Sequence, residues 1–303
     1  MSPSADPALR QADAYCRRLL HGHYENFWVS SPMVPAGLRP DMARLYAYCR
    51  TVDDLGDESR DLADAEERLR LWRQDVGRLF AGSTPVHPVL IALAESVRRR
   101  ELDPEPFFDL IEANLQDQRV HRYAGWPELR GYCRLSAAPV GRVVLALFGL
   151  RSPHLVALSD DVCIGLQLAN FAQDVSVDAA RGRTYLLQEE VAEVGVPGAV
   201  RAMCGRAAGL LRSGHELEAA ASGRRRVQLA MYRMGGEAIL RAVARAGYHT
   251  DQVRPSVPMR VKVRLLGSAM GAALMRAEDV PSSPPPRPSP ARGEEGSERG
   301  RHE

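Results

Sequence analysis

The chain has 303 residues, 45% of them hydrophobic and 26% charged, with a formal net charge of +2. That balance fits a globular protein with a substantial core and excludes wholesale disorder and collagen-like or mucin-like repeats. A near-zero charge is also not the concentrated basic footprint of a dedicated nucleic-acid binder, so no nucleic-acid partner is expected.

Taken in chain order, the signals are helical. Apolar residues recur at three- and four-residue spacing over 42–55, 63–80, 89–100, 107–119, 129–147, 155–177, 200–221 and 225–246. These stretches are rich in Ala, Leu, Arg and Glu, which are good helix formers. Gly and Pro gather at 83–88, 103–106 and 149–153 and mark breaks, while strand-like alternation is nearly absent. The expectation is one all-α domain over 1–276. The Pro/Gly/Ser/charge mixture of 277–303 cannot bury enough surface to offset chain entropy and reads as a disordered tail. Residues 259–276 read as a last packing helix, with an amphipathic helix on a membrane surface as the alternative.

The first 20 residues carry Arg10, Asp13, Arg17 and Arg18 and no apolar core of signal-peptide length. No run approaches about 18 uninterrupted apolar residues. A cytoplasmic protein, soluble or peripheral on the inner face of a membrane, is expected. The five cysteines form no Cys-x-x-Cys pair and read as buried thiols in a reducing compartment. Lys262 is the only lysine; the abundant arginine fits GC-rich codon usage and carries no functional weight as a class.

Two segments carry acids four apart. The first contains Tyr46, Arg50, Asp53 and Asp57, and the second Gln167, Asn170, Asp174 and Asp178, followed by Arg183 and Tyr185. Residues four apart on a helix share a face, and burying unpaired carboxylates is expensive. A sequence that does so twice needs a compensating cation. Mg²⁺ suits such a site, because it is a hard ion that prefers carboxylates, water and phosphate oxygens. Arg50 and Arg183 are placed to add charge-assisted hydrogen bonds to a diphosphate. Asp54 and Glu58 point off that face, at about 100° per residue.

Tyr46-x-x-x-Arg50-x-x-Asp53-x-x-x-Asp57 resembles the first aspartate motif of the squalene/phytoene synthase family. Gln167-x-x-Asn170-x-x-x-Asp174-x-x-x-Asp178, then Gly182-Arg183-x-Tyr185, resembles its second. Between them, Tyr132-Cys-Arg-Leu-Ser-Ala-Ala-Pro-Val-Gly141 is similar to the family's Tyr-Cys…Gly segment. The resemblance spans about 15–247. It implies a single-domain isoprenoid synthase bundle of helices around a central apolar cavity, with Mg²⁺-bound diphosphate at its mouth and a prenyl or triterpenoid diphosphate as substrate.

Within the family, Asn26-Phe27, Gln173 where arginine is usual, and 136–142 resemble the bacterial hydroxysqualene synthase branch. That branch implies conversion of presqualene diphosphate and water to hydroxysqualene and diphosphate in hopanoid synthesis, without NADPH. The alternatives are head-to-head condensation to presqualene diphosphate, squalene or phytoene, and a non-catalytic scaffold that has lost its metal sites. The implied metal ligands are Asp53, Asp57, Asn170, Asp174 and Asp178. Arg50, Arg183, Gln167 and Tyr185 are implied on the diphosphate, and Tyr46, Tyr132, Asn26 and Phe27 in the catalytic cavity. A neutral Gln173 would remove one positive charge beside the diphosphate. Leu187 stands where proline is usual, which bears on the loop after the second motif. Asp117 matches a family aspartate by position and is expected to form a helix salt bridge. Gly235-Gly236 is expected at a close helix contact.

Overall fold

A computed structural model describes residues 6–21, 33–258, 260–261, 264–265 and 267–269. Asn26, Phe27 and the expected tail lie outside the described residues. Among those described, every regular element is helical: α1 (Pro7–His21), α2 (Arg39–Asp57), α3 (Leu62–Phe80), α4 (Pro88–Arg100), α5 (Glu105–Asp117), α6 (Trp126–Ser136), α7 (Ala138–Phe148), α8 (Pro153–Gln173), α9 (Val175–Ala180), α10 (Gln188–Leu211), α11 (Gly214–Ala219) and α12 (Gly223–Arg245). The fold is all-α, as the periodicity implies.

The breaks have local causes. Asp61 caps α3, accepting from the Asp64 N–H at 2.9 Å, and Ser152 caps α8 by accepting from Leu155 at 3.2 Å. Each satisfies an N–H that the helix start leaves without a partner. Pro88 and Pro153 occupy the first turn, where no N–H is needed. Gly149, at φ 76°, closes α7 in the left-handed conformation that glycine adopts without a Cβ penalty.

Three expected helices are broken. The 129–147 stretch divides at Ala137, 155–177 at Asp174, and 200–221 at 212–213. Pro139 in the first turn of α7 and Gly214 at the start of α11 accompany two of these junctions; apolar spacing runs on past them, and only Asp174 stands with neither Gly nor Pro beside it. α1 was not among the expected helices, and the α10 range holds two helical pieces on either side of Gly195, whose φ 70° and ψ 175° are not helical; the later piece, with Pro197 in its first turn, is the one expected from 200.

Two helices organise the packing. α1, α3, α4 and α5 gather around α2, and α6, α7, α10, α11 and α12 around α8, with α5 and α7 joining the groups. α8 alone among the described helices is long and apolar enough to cross a membrane; in this fold it is the helix around which the second half packs. Gly236 lets α12 approach it: a Cβ there would lie 2.8 Å from Leu166 and 3.0 Å from Leu211, the close contact expected of that glycine pair. The described residues of 260–269 are helical, and Ala269 is buried against Val227, Ala230 and Met231 of α12, in keeping with a packing helix.

α1, α2 and α4 are also tied by buried charge. Arg44 donates to Asp13 at 2.8 and 3.0 Å and to Ser96 at 3.0 Å. Ser96 donates to Asp41 at 2.7 Å, and Arg100 reaches the other Asp41 oxygen at 3.0 Å.

Candidate active site

α2 forms one wall of the site. Tyr46 lines an apolar cavity of about 230 Å³ enclosed by α2, α7, α8, α11 and α12, together with Leu45, Val144, Leu166, Leu229 and Tyr232. One turn along the same face, Arg50 opens into a polar recess of about 710 Å³, bordered also by Asp57, Glu58, Gln118, Arg181 and Arg183. The stripe Tyr46–Arg50–Asp53–Asp57 thus runs from the apolar cavity into the polar mouth, because residues four apart stack on one helix face.

In the first motif, Arg50 pairs with Asp54 at 2.5 Å, so Asp54, expected to point away, anchors the arginine. The Arg50 Nε is buried without a hydrogen-bond partner, a donor available to an anion in the recess. Asp53 accepts from Asn114 of α5 at 3.3 Å. Crowding by the surrounding protein raises its carboxyl to about 6; the Asn114 bond opposes the rise, and Asp57 adds to it. The carboxylate still reaches solvent at the mouth. α5 comes this close because Gly56 has no side chain: a Cβ would lie 2.9 Å from the Gln118 amide and 3.3 Å from Asn114.

The second motif does not climb one continuous helix. α8 ends at Gln173 and α9 begins at Val175, although the Asp174 N–H still donates to Asn170 at 2.9 Å and the Asp178 N–H to Asp174 at 2.8 Å. Gln167 is half-buried and Asn170 exposed. Burial, reinforced by Asp174, raises Asp178 to about 6. Arg183, whose N–H donates to the Asp178 carbonyl at 2.9 Å, donates its guanidinium to Asp57 at 3.1 Å. That bond brings the two motifs together across 126 residues.

Leu187 takes φ −65° and ψ 124° at the start of α10. This is the φ to which proline is locked, so the loop keeps a proline-compatible course.

Tyr132 and Tyr185 lie outside the wall of the apolar cavity. Tyr132 donates to Asp117 at 2.6 Å and Tyr185 to its other oxygen at 3.2 Å. Both rings are buried, and Tyr185 stacks on Phe171 at 3.8 Å. The residues lining the apolar cavity do not include Tyr132, and the Tyr185 hydroxyl is directed at Asp117. Asp117 therefore serves as acceptor for two phenols in place of the expected helix salt bridge, and burial raises its carboxyl.

Gln173 corrects another expectation. Its side chain is buried and donates to the Pro255 carbonyl at 2.7 Å. Beside it, Arg254 forks onto Asp174 at 2.5 and 3.2 Å. The positive charge absent from position 173 is supplied from position 254. Arg254 and Asn114 were missed by sequence reasoning. Asn114 left a faint signal, a polar run at the end of apolar α5; Arg254 left none among so many arginines.

Among the described residues no three His, Cys, Asp or Glu side chains form a closed metal cage. The donors nonetheless suit Mg²⁺, which takes one or two carboxylates and completes its shell with water and substrate phosphates. Each motif offers hard oxygen ligands, and each includes a carboxyl whose charge is costly as it stands, Asp53 and Asp178.

Fold and site together define an isoprenoid-synthase helical bundle. The sequence profile of squalene/phytoene synthases matches residues 20–261; the chain belongs to the squalene/phytoene synthase family. It is similar to the squalene synthase HpnC of Alicyclobacillus acidocaldarius, with 41% identity and a TM-score of 0.75 over 80% of this chain and 97% of that one. A dehydrosqualene synthase shares the fold, with TM-score 0.78 and 22% identity over 88% and 98% of the two chains. The phytoene synthase of Arthrospira platensis is 30% identical over 63% of this chain and 66% of its own. The presqualene diphosphate synthase of Rhodopseudomonas palustris is 33% identical over 56% and 61%. The chain spans just under two thirds of the length of these two curated relatives.

Proposed function

We propose that the protein is an enzyme that converts presqualene diphosphate and water to hydroxysqualene and diphosphate in the cytoplasm. The observation that carries this reading is the α2 stripe, with Tyr46 in the apolar cavity, Arg50 and Asp57 about one and three turns further in the polar recess, and Asp53 between them on the same face. A triterpenoid diphosphate has the same polarity from end to end. The 41% identity with a squalene synthase over nearly all of that protein's length supports the C30 class. The resemblance of Asn26-Phe27, Gln173 and residues 136–142 to the hydroxysqualene synthase branch supports the water-quenched outcome.

Asp53 and Asp57 on one side and Asn170, Asp174 and Asp178 on the other would hold Mg²⁺. When bound, Mg²⁺ neutralises charge that develops on a leaving diphosphate. Arg50, through its unpartnered Nε, and Arg183 bind diphosphate oxygens. Asn114 orients Asp53, and Asp117 fixes the Tyr132 and Tyr185 rings that wall the second motif. The apolar cavity then excludes bulk water while the carbon skeleton rearranges. Head-to-head condensation is the second reading; the breadth of the polar recess and the names of the two curated relatives favour it.

The test is incubation of purified protein and Mg²⁺ with presqualene diphosphate, and separately with farnesyl diphosphate, both without NADPH. Hydroxysqualene from the first, with farnesyl diphosphate untouched, is the expected result. Consumption of farnesyl diphosphate would move the enzyme to the condensing reaction.

A further inference from the structure

A segment that follows α12 straddles the junction between α8 and α9. Gln173, the last residue of α8, donates to the Pro255 carbonyl at 2.7 Å. The Ser176 N–H, in the first turn of α9, donates to the Thr250 carbonyl at 3.1 Å. Both tethers end on backbone, so they fix the course of the segment whatever side chains it bears. Gln173 and Thr250 are buried, whereas Arg254, which lies between the two anchors, is exposed. Its guanidinium forks onto both oxygens of Asp174, the residue at the junction, at 2.5 and 3.2 Å.

Stability alone is a weak reason for such a scaffold. The Arg254 and Asp174 side chains are 42% and 25% exposed, and a pair this open to water separates at a cost of about fivefold or less in its equilibrium. The tethers thus hold a guanidinium that is easily exchanged against one carboxylate of the second motif. Asp174 belongs to the donor set that suits Mg²⁺, and it cannot give its oxygens fully to an ion and to the fork together. A hard ion that completes its shell with phosphate oxygens brings a diphosphate beside its carboxylate ligand, where Arg254 already stands. The same fork fits carboxylate and phosphate.

We infer that Arg254 is a latch on the second motif, which closes Asp174 in the absence of ligands and passes to the diphosphate when a cation takes Asp174. The inference rests on the reading of the two motifs as a Mg²⁺ and diphosphate site. No covalent bond changes and no proton moves; one ion pair is exchanged for another. Removing Arg254 therefore has two effects of opposite sign. It frees Asp174 for the cation, and it takes a donor from the diphosphate. Because either ligand opens the pair for the other, the latch couples their binding, and the coupling is reciprocal. Gln173 is a positioning residue, since it acts on the site only through the segment that carries Arg254.

The experiment titrates the full chain, wild type and Arg254→Gln, by isothermal calorimetry, first with Mg²⁺ alone and then with inorganic diphosphate at saturating Mg²⁺. Arg254→Gln should bind Mg²⁺ about two- to fivefold more tightly, the weight of an exposed ion pair. It should bind diphosphate about tenfold less tightly, the weight of one charge-assisted hydrogen bond. Loss of a residue that merely braced the segment would weaken both, so the opposite signs carry the test. Unchanged or weaker Mg²⁺ binding in Arg254→Gln overturns the inference, as does unchanged diphosphate binding. Arg254→Lys keeps the charge without the fork; it should shift both constants in the same two directions by less, and it decides should Arg254→Gln fail to fold. Wild type that does not bind Mg²⁺ or diphosphate overturns the reading of the site first and this inference with it, so the two failures are told apart.

Discussion

Gly165 lies in α8 where α10 crosses it. Replacing it with alanine gains about 1 kcal/mol of helix propensity. Against that gain, the new Cβ would lie 3.1 Å from the Ala207 carbonyl oxygen, 3.1 Å from Leu211 Cγ and 3.2 Å from Leu210 Cβ. One neighbour is backbone and the others sit near the roots of their side chains, so relief requires α10 itself to shift. Overpacking of this kind costs about 1–3 kcal/mol, and the cost wins. We expect Gly165→Ala to lose about 1 kcal/mol, a melting temperature lower by about 2–4 °C for a domain of this size.

Gly56 is the control. Its Cβ would meet only the far ends of Gln118 and Asn114, which swing aside at little cost. Gly56→Ala should be neutral to about 1 kcal/mol more stable. Asn114 is also the donor to Asp53, so turnover should fall while stability holds. Thermal melts by circular dichroism and a diphosphate-release assay read both effects. Gly165→Ala as stable as wild type, or Gly56→Ala markedly less stable, would refute the distinction between backbone and side-chain neighbours. Full activity in Gly56→Ala would remove Asn114 from the site.

Asp53→Asn and Asp174→Asn should each cut turnover at least about 100-fold, the upper range for disturbed metal sites, with folding retained on a thermal melt; wild-type turnover in either would remove that aspartate from the metal site. Asp53 and Asp178 stand at about 6 against an ordinary 3.8. Because the folded value is the higher one, this contribution to stability is fully present below about 3.8 and is lost as pH rises from there through about 6. Metal-free protein in chelator should therefore melt higher at pH 5 than at pH 7, and Asp178→Asn should flatten that slope; an unchanged slope would count against the assignment. Arg44→Met breaks a buried network and leaves Asp13 without its partner, at a cost of about 3–5 kcal/mol. The urea midpoint reads that loss, and a change below about 1 kcal/mol, the scale of a surface pair, would contradict it.

Periodicity recovered α2 to α5 and α12 to within a few residues, because each presents one apolar stripe to a single core. It failed at Ala137 and 212–213, where the apolar spacing continues past Pro139 and Gly214 and hides the breaks they mark, and at Asp174, where the neighbouring residue types still favour helix. The same division holds in the site. The α2 stripe was legible because four-residue spacing on one helix is itself geometry. The bonds Asn114–Asp53 and Arg254–Asp174 cross 61 and 80 residues, and no local pattern encodes a meeting at that range. Asp117 was misread for the opposite reason: its sequence neighbours suggested a helix ion pair, while its partners come from α6 and the loop before α10.

The distribution of arginines gives the site its electrical logic. Arg50 holds Asp54, Arg183 holds Asp57 and Arg254 holds Asp174. Asp53 and Asp178 make no ion pair among the described residues, and these two carboxyls are the ones raised to about 6. Each motif therefore pairs an arginine-held carboxylate with a bare one, so that its charge is balanced in part and leaves a deficit for a cation to fill. The arginine-held members can exchange partners as a diphosphate arrives, since a guanidinium serves carboxylate and phosphate equally well. On the second motif that arginine is carried by the 250–255 segment, which Gln173 tethers through Pro255 and Ser176 through Thr250. The amide at position 173 thus locates the segment that carries the charge, so its substitution would act on Asp174 through Arg254 and not through a missing contact to the diphosphate.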